Sequence, residues 1–308
     1  MPTLRRMTTK RLGIHLATGP GLIRAAERAV EIGAAGLQLF TGNPTGWKRP
    51  AELSPKIAPF RERYRELGLG PLSIHGAYLS NLATPDPAVH AKTLDMLAYE
   101  LEIAPAYGAF GVNVHIGSHR GAGDAQGIAN VVDTIRTVLA RVPDNGVALV
   151  LENGAGAGDG IGDSVEQLAD IADGLAAAGV PAHRVGYCLD TAHLQGAGIG
   201  LGDDEGVARL LAAFDARIGL GRLAMVHFND SNVELGSRRD YHEHLGIGKV
   251  GSRALAALLR DPRLAAVPFY LETPAEEGLD LVNVERGALL AAGELVLPPL
   301  ENRVRGQH

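Results

Sequence analysis

Short, continuous apolar runs recur along the chain, each closed by a turn containing Gly, Asn or Asp and followed by apolar residues at helical spacing. The runs are "LGIHLA" (12–17), "AGLQLF" (35–40), "PLSIHG" (71–76), "GVNVHI" (111–116), "VALVLE" (147–152), "VGYCLD" (185–190), "LAMVHF" (223–228) and "VPFYLE" (267–272). Their continuous, β-branched-rich character predicts strands buried on both faces. Between them, "GLIRAAERAVEIG", "AVHAKTLDMLAYELEIAPAYG" and "SVEQLADIADGLAAAG" predict amphipathic helices, with Gly33, Gly108 and Gly179 where C-caps belong. Eight alternating strand–helix units predict an α/β fold, a single-domain (β/α)8 TIM barrel. An open doubly wound sheet ranks second, because the first turn, "TGPGLIRAA", lacks the full G-x-G-x-x-G expected there. No linker-like composition divides the chain. The barrel is expected over residues 11–298, with a flexible N-terminal tail at 1–10 and a C-terminal tail at 299–308.

One stretch fits neither period. "SRRDYHEHLGIGKVG" (237–251) has no face to bury and predicts a loop, yet it sets Asp240, His242, Glu243 and His244 nearly side by side.

Composition changes this picture little. Over 308 residues, 46% hydrophobic and 21% charged is ordinary globular usage. A net charge of −6 carries no global basic signature for nucleic acid, although a local basic rim acts without one. The single cysteine, Cys188, excludes an intrachain disulfide and fits a reducing cytoplasm. No run approaches the roughly 18 apolar residues of a membrane span. The basic start "MPTLRRMTTK" lacks the apolar core of a signal peptide.

The polar residues at the strand ends change it more. Barrel enzymes place their chemistry at the C-terminal ends of the strands. Those positions carry His15, His75, His115, Glu152, Asp190, His227 and Glu272, and His193 follows Asp190 by one turn. Scattered at random, 11 histidines would put only ~1–2 among the roughly 40 strand-end positions of such a barrel, whereas five are there. A lone histidine of this kind is ordinarily a hydrogen-bonded core residue. Five of them with three acids on one rim predict bound cations, because burying so many carboxylates without counter-charge is very unfavourable. Imidazole and carboxylate without thiolate suit zinc or manganese. With the ligand types of the 237–251 loop added, the count exceeds one tetrahedral ion and predicts a multinuclear centre, in which a carboxylate such as Glu152 could bridge two ions. Close metal pairs serve phosphoryl and hydrolytic chemistry.

These residues lie in segments with a family likeness. "SIHGAYLSNLATPD", "VNVHIGSH", "LVLENGAGAGDGIG", "RVGYCLDTAH", "VHFNDSNVELGSRRDYHEHLGIGKVG" and "YLETP" resemble, in order, the signatures of endonuclease IV, the zinc-dependent apurinic/apyrimidinic endonucleases of base excision repair. The resemblance runs from about residue 12 to about 295. It implies a (β/α)8 barrel with three zinc ions, manganese being an alternative at one or more sites. His75, His115 and Glu152 would bind the first ion. Glu152 would bridge to a second held by Asp190, His227 and Glu272. His193, Asp240 and His242 would hold the third. The implied reaction is hydrolysis of the phosphodiester 5′ to an abasic site in damaged double-stranded DNA, leaving a 3′-hydroxyl, with a zinc-bound hydroxide as nucleophile tuned by Glu152 and Glu272. A monomer acting in the cytoplasm is expected.

The resemblance also sorts the remaining residues. Tyr78 matches a side chain that the family inserts into the duplex, and Arg238, in the family's "GSR", is expected to meet phosphate. His119 is expected to be structural, Cys188 a small core residue, Glu243 and His244 non-ligands, and His90, His183 and His308 without a role. His15 faces the rim but matches no ligand. Departures fall on the DNA-reading surface: Thr45 where an inserting arginine is usual, with Lys48 and Arg49 just beyond as substitutes, then Ala157, Tyr241 and Ile247. Two other functions compete. A xylose-isomerase-like sugar isomerase or epimerase would use one or two divalent metals, and a metal-loaded barrel would bind DNA or a partner without cutting.

Overall fold

The computed structural model describes residues 12–275 and 278–300. Eight parallel strands close into a barrel in sequence order. They are β1 Leu12–His15, β2 Leu37–Phe40, β3 Leu72–His75, β4 Gly111–His115, β5 Ala148–Glu152, β6 Val185–Asp190, β7 Leu223–His227 and β8 Phe269–Leu271. The helices are α1 Leu22–Glu31, α2 Ile57–Glu66, α3 Pro87–Tyr107, α4 Asp124–Arg141, α5 Val165–Ala177, α6 Thr191–Ala197, α7 Asp204–Arg217, α8 Ser252–Arg260 and α9 Leu279–Ala292. The expected single (β/α)8 barrel is therefore present. Each apolar run contains its strand, trimmed at the ends where the backbone leaves the ladder, so that Glu272 stands one residue past β8. The sequence reading missed α6, a short helix inserted directly after β6. The expected tail at 1–10, and 301–308 with His308, lie outside the described residues. Among the described residues no helix is long and apolar enough to cross a membrane.

Local signals explain the elements. Asp86 caps α3 by accepting the N–H groups of Ala88 and Val89, with Pro87 at the first helical position. Ser164 caps α5 through the N–H of Gln167. Gly108 ends α3 in the left-handed region, φ 80°, as its place after the helical pattern predicts.

Period-2 alternation builds the platform for the site. Leu149 and Leu151 of β5 join the core shared with the helices, while Val150 and Glu152 point the other way, into the barrel. Val150, Cys188, Met225 and Tyr270 pack together as a separate buried cluster. Each lies two residues before Glu152, Asp190, His227 and Glu272 respectively, hence one layer below them on the same face. The Tyr270 ring fills this layer so closely that a Cβ on Gly13 would lie 2.7 Å from it. Its hydroxyl donates to the Pro71 carbonyl at 2.9 Å. Cys188 is thus core, as expected, and the polar layer rests on a dry floor.

Candidate metal centre

The strand register sets the functional side chains side by side. His115 pairs with Glu152, Asp190 with His227, and Phe40 with His75. Glu152 sits at the centre, 1% exposed. Its Oε2 is 3.8 Å from His75 Nε2 and 3.6 Å from His115 Nε2. Its Oε1 is 3.1 Å from His227 Nδ1 and 3.2 Å from His193 Nδ1. Three groups bring ligand atoms within 4.8 Å of one another: His75, His115 and Glu152; Glu152, Asp190, His227 and Glu272; and Asp190, His193 and His242. Asp240, half-exposed, places its carboxylate oxygens 3.2 Å from His193 Nε2 and 3.3 Å from His242 Nε2. The third group thus takes its carboxylate from Asp190, and the expected Asp240 stands beside it.

The tautomers favour metal coordination. His75, His193 and His242 each donate Nδ1–H to a backbone carbonyl, of Gly76, Asn153 and Glu272, at 2.8, 2.9 and 2.9 Å. A carbonyl only accepts, so Nδ1 carries its proton and Nε2 is the nitrogen turned inward to the cluster. The buried Nε2 atoms of His193 and His242 make no hydrogen bond. His227 is reversed: Gln38 Oε1 lies 3.1 Å from its Nε2, and Nδ1 faces the carboxylates. The ligating nitrogen in such sites is fixed by what the other nitrogen binds.

Charge points the same way. Burial works to raise Glu152 and Glu272, yet His227 above all, with its neighbours, holds both well below the usual carboxylate range. Burial works to lower His193, but Asp190 and Asp240 hold it well above normal; His242, opposed by burial and favoured by Asp190, reaches about 9. His75, dominated by burial, falls to about 3 and stays a neutral donor. The carboxylates of this layer demand positive charge. His75 offers a neutral imidazole, and at His193 and His242 a divalent cation would take the place of the proton that the carboxylates now hold; imidazoles and carboxylates together are a donor set that divalent cations fit. A cavity of about 690 Å³ opens over them, walled by Tyr78, Tyr241 and Pro274.

A family profile described as "Xylose isomerase-like TIM barrel" matches residues 26–293. The "Probable endonuclease 4" of Natronomonas pharaonis is 37% identical over 267 residues, 87% of this chain and 93% of that protein. The chain belongs to the endonuclease IV family. Among solved structures, endonuclease IV from Thermus thermophilus superimposes with a TM-score of 0.76 at 34% identity, covering 92% of this chain and 99% of that one. A D-tagatose 3-epimerase-like protein superimposes at 0.67 with 18% identity, which shows the shared fold alone. The endonuclease IV family is metal-dependent, and the three clusters give this member residues able to bind metal.

Tyr78 is half-exposed with its ring 5.3 Å from that of His75 and 5.7 Å from that of His115. Arg238 is held in the left-handed region, φ 59°, and its Nε and Nη2 donate to the carbonyls of Gly156 and Gly158. Glu243 accepts from Asn232, and His244 Nδ1 lies 2.9 Å from Asn283 Nδ2, so neither joins a cluster. His119 accepts from the N–H of Gly123 and lies 3.2 Å from Asp124, a loop-shaping role. His15 Nδ1 is 3.0 Å from Glu272 Oε1. Lys48 is exposed, whereas Arg49, the other residue offered as a substitute, turns its guanidinium inward to Glu100.

Sequence reasoning missed four amides that orient the candidate ligands. Asn113 donates to Glu152 Oε2 at 2.5 Å, and Asn153 Oδ1 accepts from the N–H of Asp190 at 2.7 Å. Asn229 donates to Asp190 Oδ2 and accepts the N–H of Glu272. Gln38 donates to Glu272 Oε1 at 2.7 Å while its Oε1 faces His227. A lone amide inside an apolar strand, as in "LQLF" and "VNVH", was the available signal. Gln38→Leu is expected to weaken metal affinity by ~10–100-fold, measured by competition with a chromophoric chelator. Wild-type affinity would show that Gln38 does not orient the ligands.

Proposed function

We infer that this chain is a zinc-dependent endonuclease that hydrolyses the phosphodiester 5′ to an abasic site in duplex DNA. The observation that carries the reading is the two-sided carboxylate of Glu152, which faces His75 and His115 with one oxygen and His227 with the other. His75, His115 and Glu152 would hold one ion; Glu152, Asp190, His227 and Glu272 a second; His193, Asp240 and His242, with Asp190 alongside, a third. Bound divalent ions supply Lewis acidity, making water a nucleophile at neutral pH and neutralising phosphate charge.

The chain's own groups then divide the work. Glu152 and Glu272 set the charge at the reacting phosphate and are held in place by Asn113, Gln38 and Asn229. A water oxygen joins phosphorus as the P–O3′ bond breaks, and the 3′-oxygen leaves with a proton as a hydroxyl that a polymerase can extend. Tyr78, at the cavity wall, is positioned to meet the nucleotide that enters. Arg238 spends two of its five guanidinium N–H groups on the Gly156 and Gly158 carbonyls, and the others would meet backbone phosphate. The enzyme would act as a cytoplasmic monomer in base excision repair.

The test is an incision assay on an end-labelled abasic duplex, with metal content measured on the same sample. The expected outcome is a product ending in a 3′-hydroxyl and about three zinc ions per chain, as in a multinuclear hydrolytic site. A fully metallated protein that leaves the duplex intact sinks the reading. One metal per chain with turnover of a ketose would favour an epimerase.

A further inference from the structure

The loop that follows β2 is plugged from beneath by an ion pair that the metal centre does not use. Arg49 Nη2 donates to Glu100 Oε1 at 3.2 Å, with the two side chains 9% and 1% exposed. Nη1 of the same guanidinium donates to the carbonyls of Gly46 at 2.9 Å, Lys48 at 3.1 Å and Asn43 at 3.4 Å. Asn43 in turn accepts both the N–H and the hydroxyl of Thr45 through Oδ1, at 3.0 and 2.9 Å. One planar fork thus fixes the path of the loop that exposes Thr45 and Lys48.

Glu100 ties this loop to the next. It projects from α3 to the exit of β3, where the Ala77 backbone and Arg49 favour its charged form against burial. Gly76 approaches so closely that a Cβ there would lie 3.0 Å from Glu100 Oε2. At the loop's other edge, the N–H of Tyr78 donates to the Pro44 carbonyl at 2.9 Å. Phe40, the last residue of β2, packs its ring 5.0 Å from His75 and 5.1 Å from Tyr78. The buried carboxylate therefore organises two exits on the metal rim at once. A buried ion pair is weak evidence for stability, and replacing it with apolar groups is often neutral or better. What apolar groups do not reproduce is the set of carbonyl contacts that gives the loop one shape.

We propose that Arg49 and Glu100 are positioning residues that hold the loop after β2 in a fixed shape beside the metal centre, so that it meets the DNA duplex already ordered. The functional half rests on the endonuclease reading above. A loop ordered before binding escapes the ordering cost at the moment of association, so the effect falls on substrate binding rather than on the chemical step.

Trp47, the chain's single tryptophan, lies in this loop with Lys92 Nζ 5.9 Å from its ring, and it reports loop order without reference to activity. The test compares wild type, Arg49→Met and the double variant Arg49→Met/Glu100→Met, which leaves no stranded carboxylate. In both variants Trp47 emission is expected to shift to the red and its acrylamide quenching to increase. Metal content and kcat should stay within about 2-fold, while KM for an abasic duplex rises ~10-fold. If Arg49→Met does not fold, the double variant decides. An unshifted Trp47 signal in the folded double variant overturns the proposal, and so does a shifted signal with unchanged KM. If wild type incises nothing, the endonuclease reading falls with the functional half, and Trp47 still decides whether the pair fixes the loop.

Discussion

Glu152→Ala is expected to lower abasic-site incision by more than ~10³-fold and to reduce metal content on the same sample. Removing a single preorganised donor from a reacting oxyanion already costs about 10²–10³. Glu152 is not a single contact. Its two oxygens serve two clusters, so its loss takes one ligand from each. The remaining residues cannot compensate, because the backbone fixes them: His75 and His193 are anchored by their Nδ1 atoms, and Asp190 by Asn229. Glu152→Gln separates charge from shape. It keeps an oxygen beside the histidines and removes the negative charge that burial alone would disfavour. It should recover folding but little activity, since a neutral amide is a poor bridge between cations. Full metal content together with undiminished incision in either variant would contradict the role assigned to this residue.

What was legible in the sequence follows a physical rule. Strands buried on both faces must be continuously apolar, so β1 to β8 could be read from the runs, and a charged or imidazole side chain at the end of such a run stood out. Glu152, His227 and Glu272 were visible for that reason. Helix α6 was not, because seven residues give too little pattern to distinguish a turn from a helix; only Asp190 capping the N–H of His193 reveals it. Partners distant in sequence were not legible. Arg49 stood as a substitute for the inserting arginine, and its partner Glu100 lies 51 residues away on α3. Arg238 was expected at phosphate from its place in "GSR", and its further contacts, which strap the loop after β7 to the loop after β5, lie about 80 residues away. Type and spacing show what a side chain can do, whereas topology decides what it meets. The loop 237–251 illustrates both. Its ligand types identified the rim. Its shape depends on Asp230, which lies outside it and reads as an ordinary turn residue in "FNDSN".

Asp230→Ala is accordingly expected to destabilise the protein by ~3–5 kcal/mol, the cost of breaking a buried polar network, and to release metal from the third cluster first. Asp230 is fully buried. Its Oδ1 accepts the N–H groups of Ser231, Val250 and Gly251 at 2.8, 3.0 and 3.3 Å, and its Oδ2 that of Gly246 at 2.9 Å. Gly251 is the N-cap of α8, so the carboxylate also faces a helix N-terminus. The fit is close: a Cβ on Gly248 would lie 2.4 Å from Oδ1. Alanine would leave these donors without an acceptor, at ~1–3 kcal/mol for each that water cannot reach. Both ends of the 231–250 segment converge on this one carboxylate, and the segment carries Asp240 and His242. His242 is held only by its Nδ1 bond to the Glu272 carbonyl and by its neighbours in the cluster. Loosening the segment should therefore cost the third ion before the two whose ligands sit on strand ends. Urea denaturation gives the stability change, and stepwise chelation followed by metal analysis gives the order of release. If the third ion leaves no sooner than in wild type, Asp230 shapes α8 and the surrounding loop without positioning the metal centre.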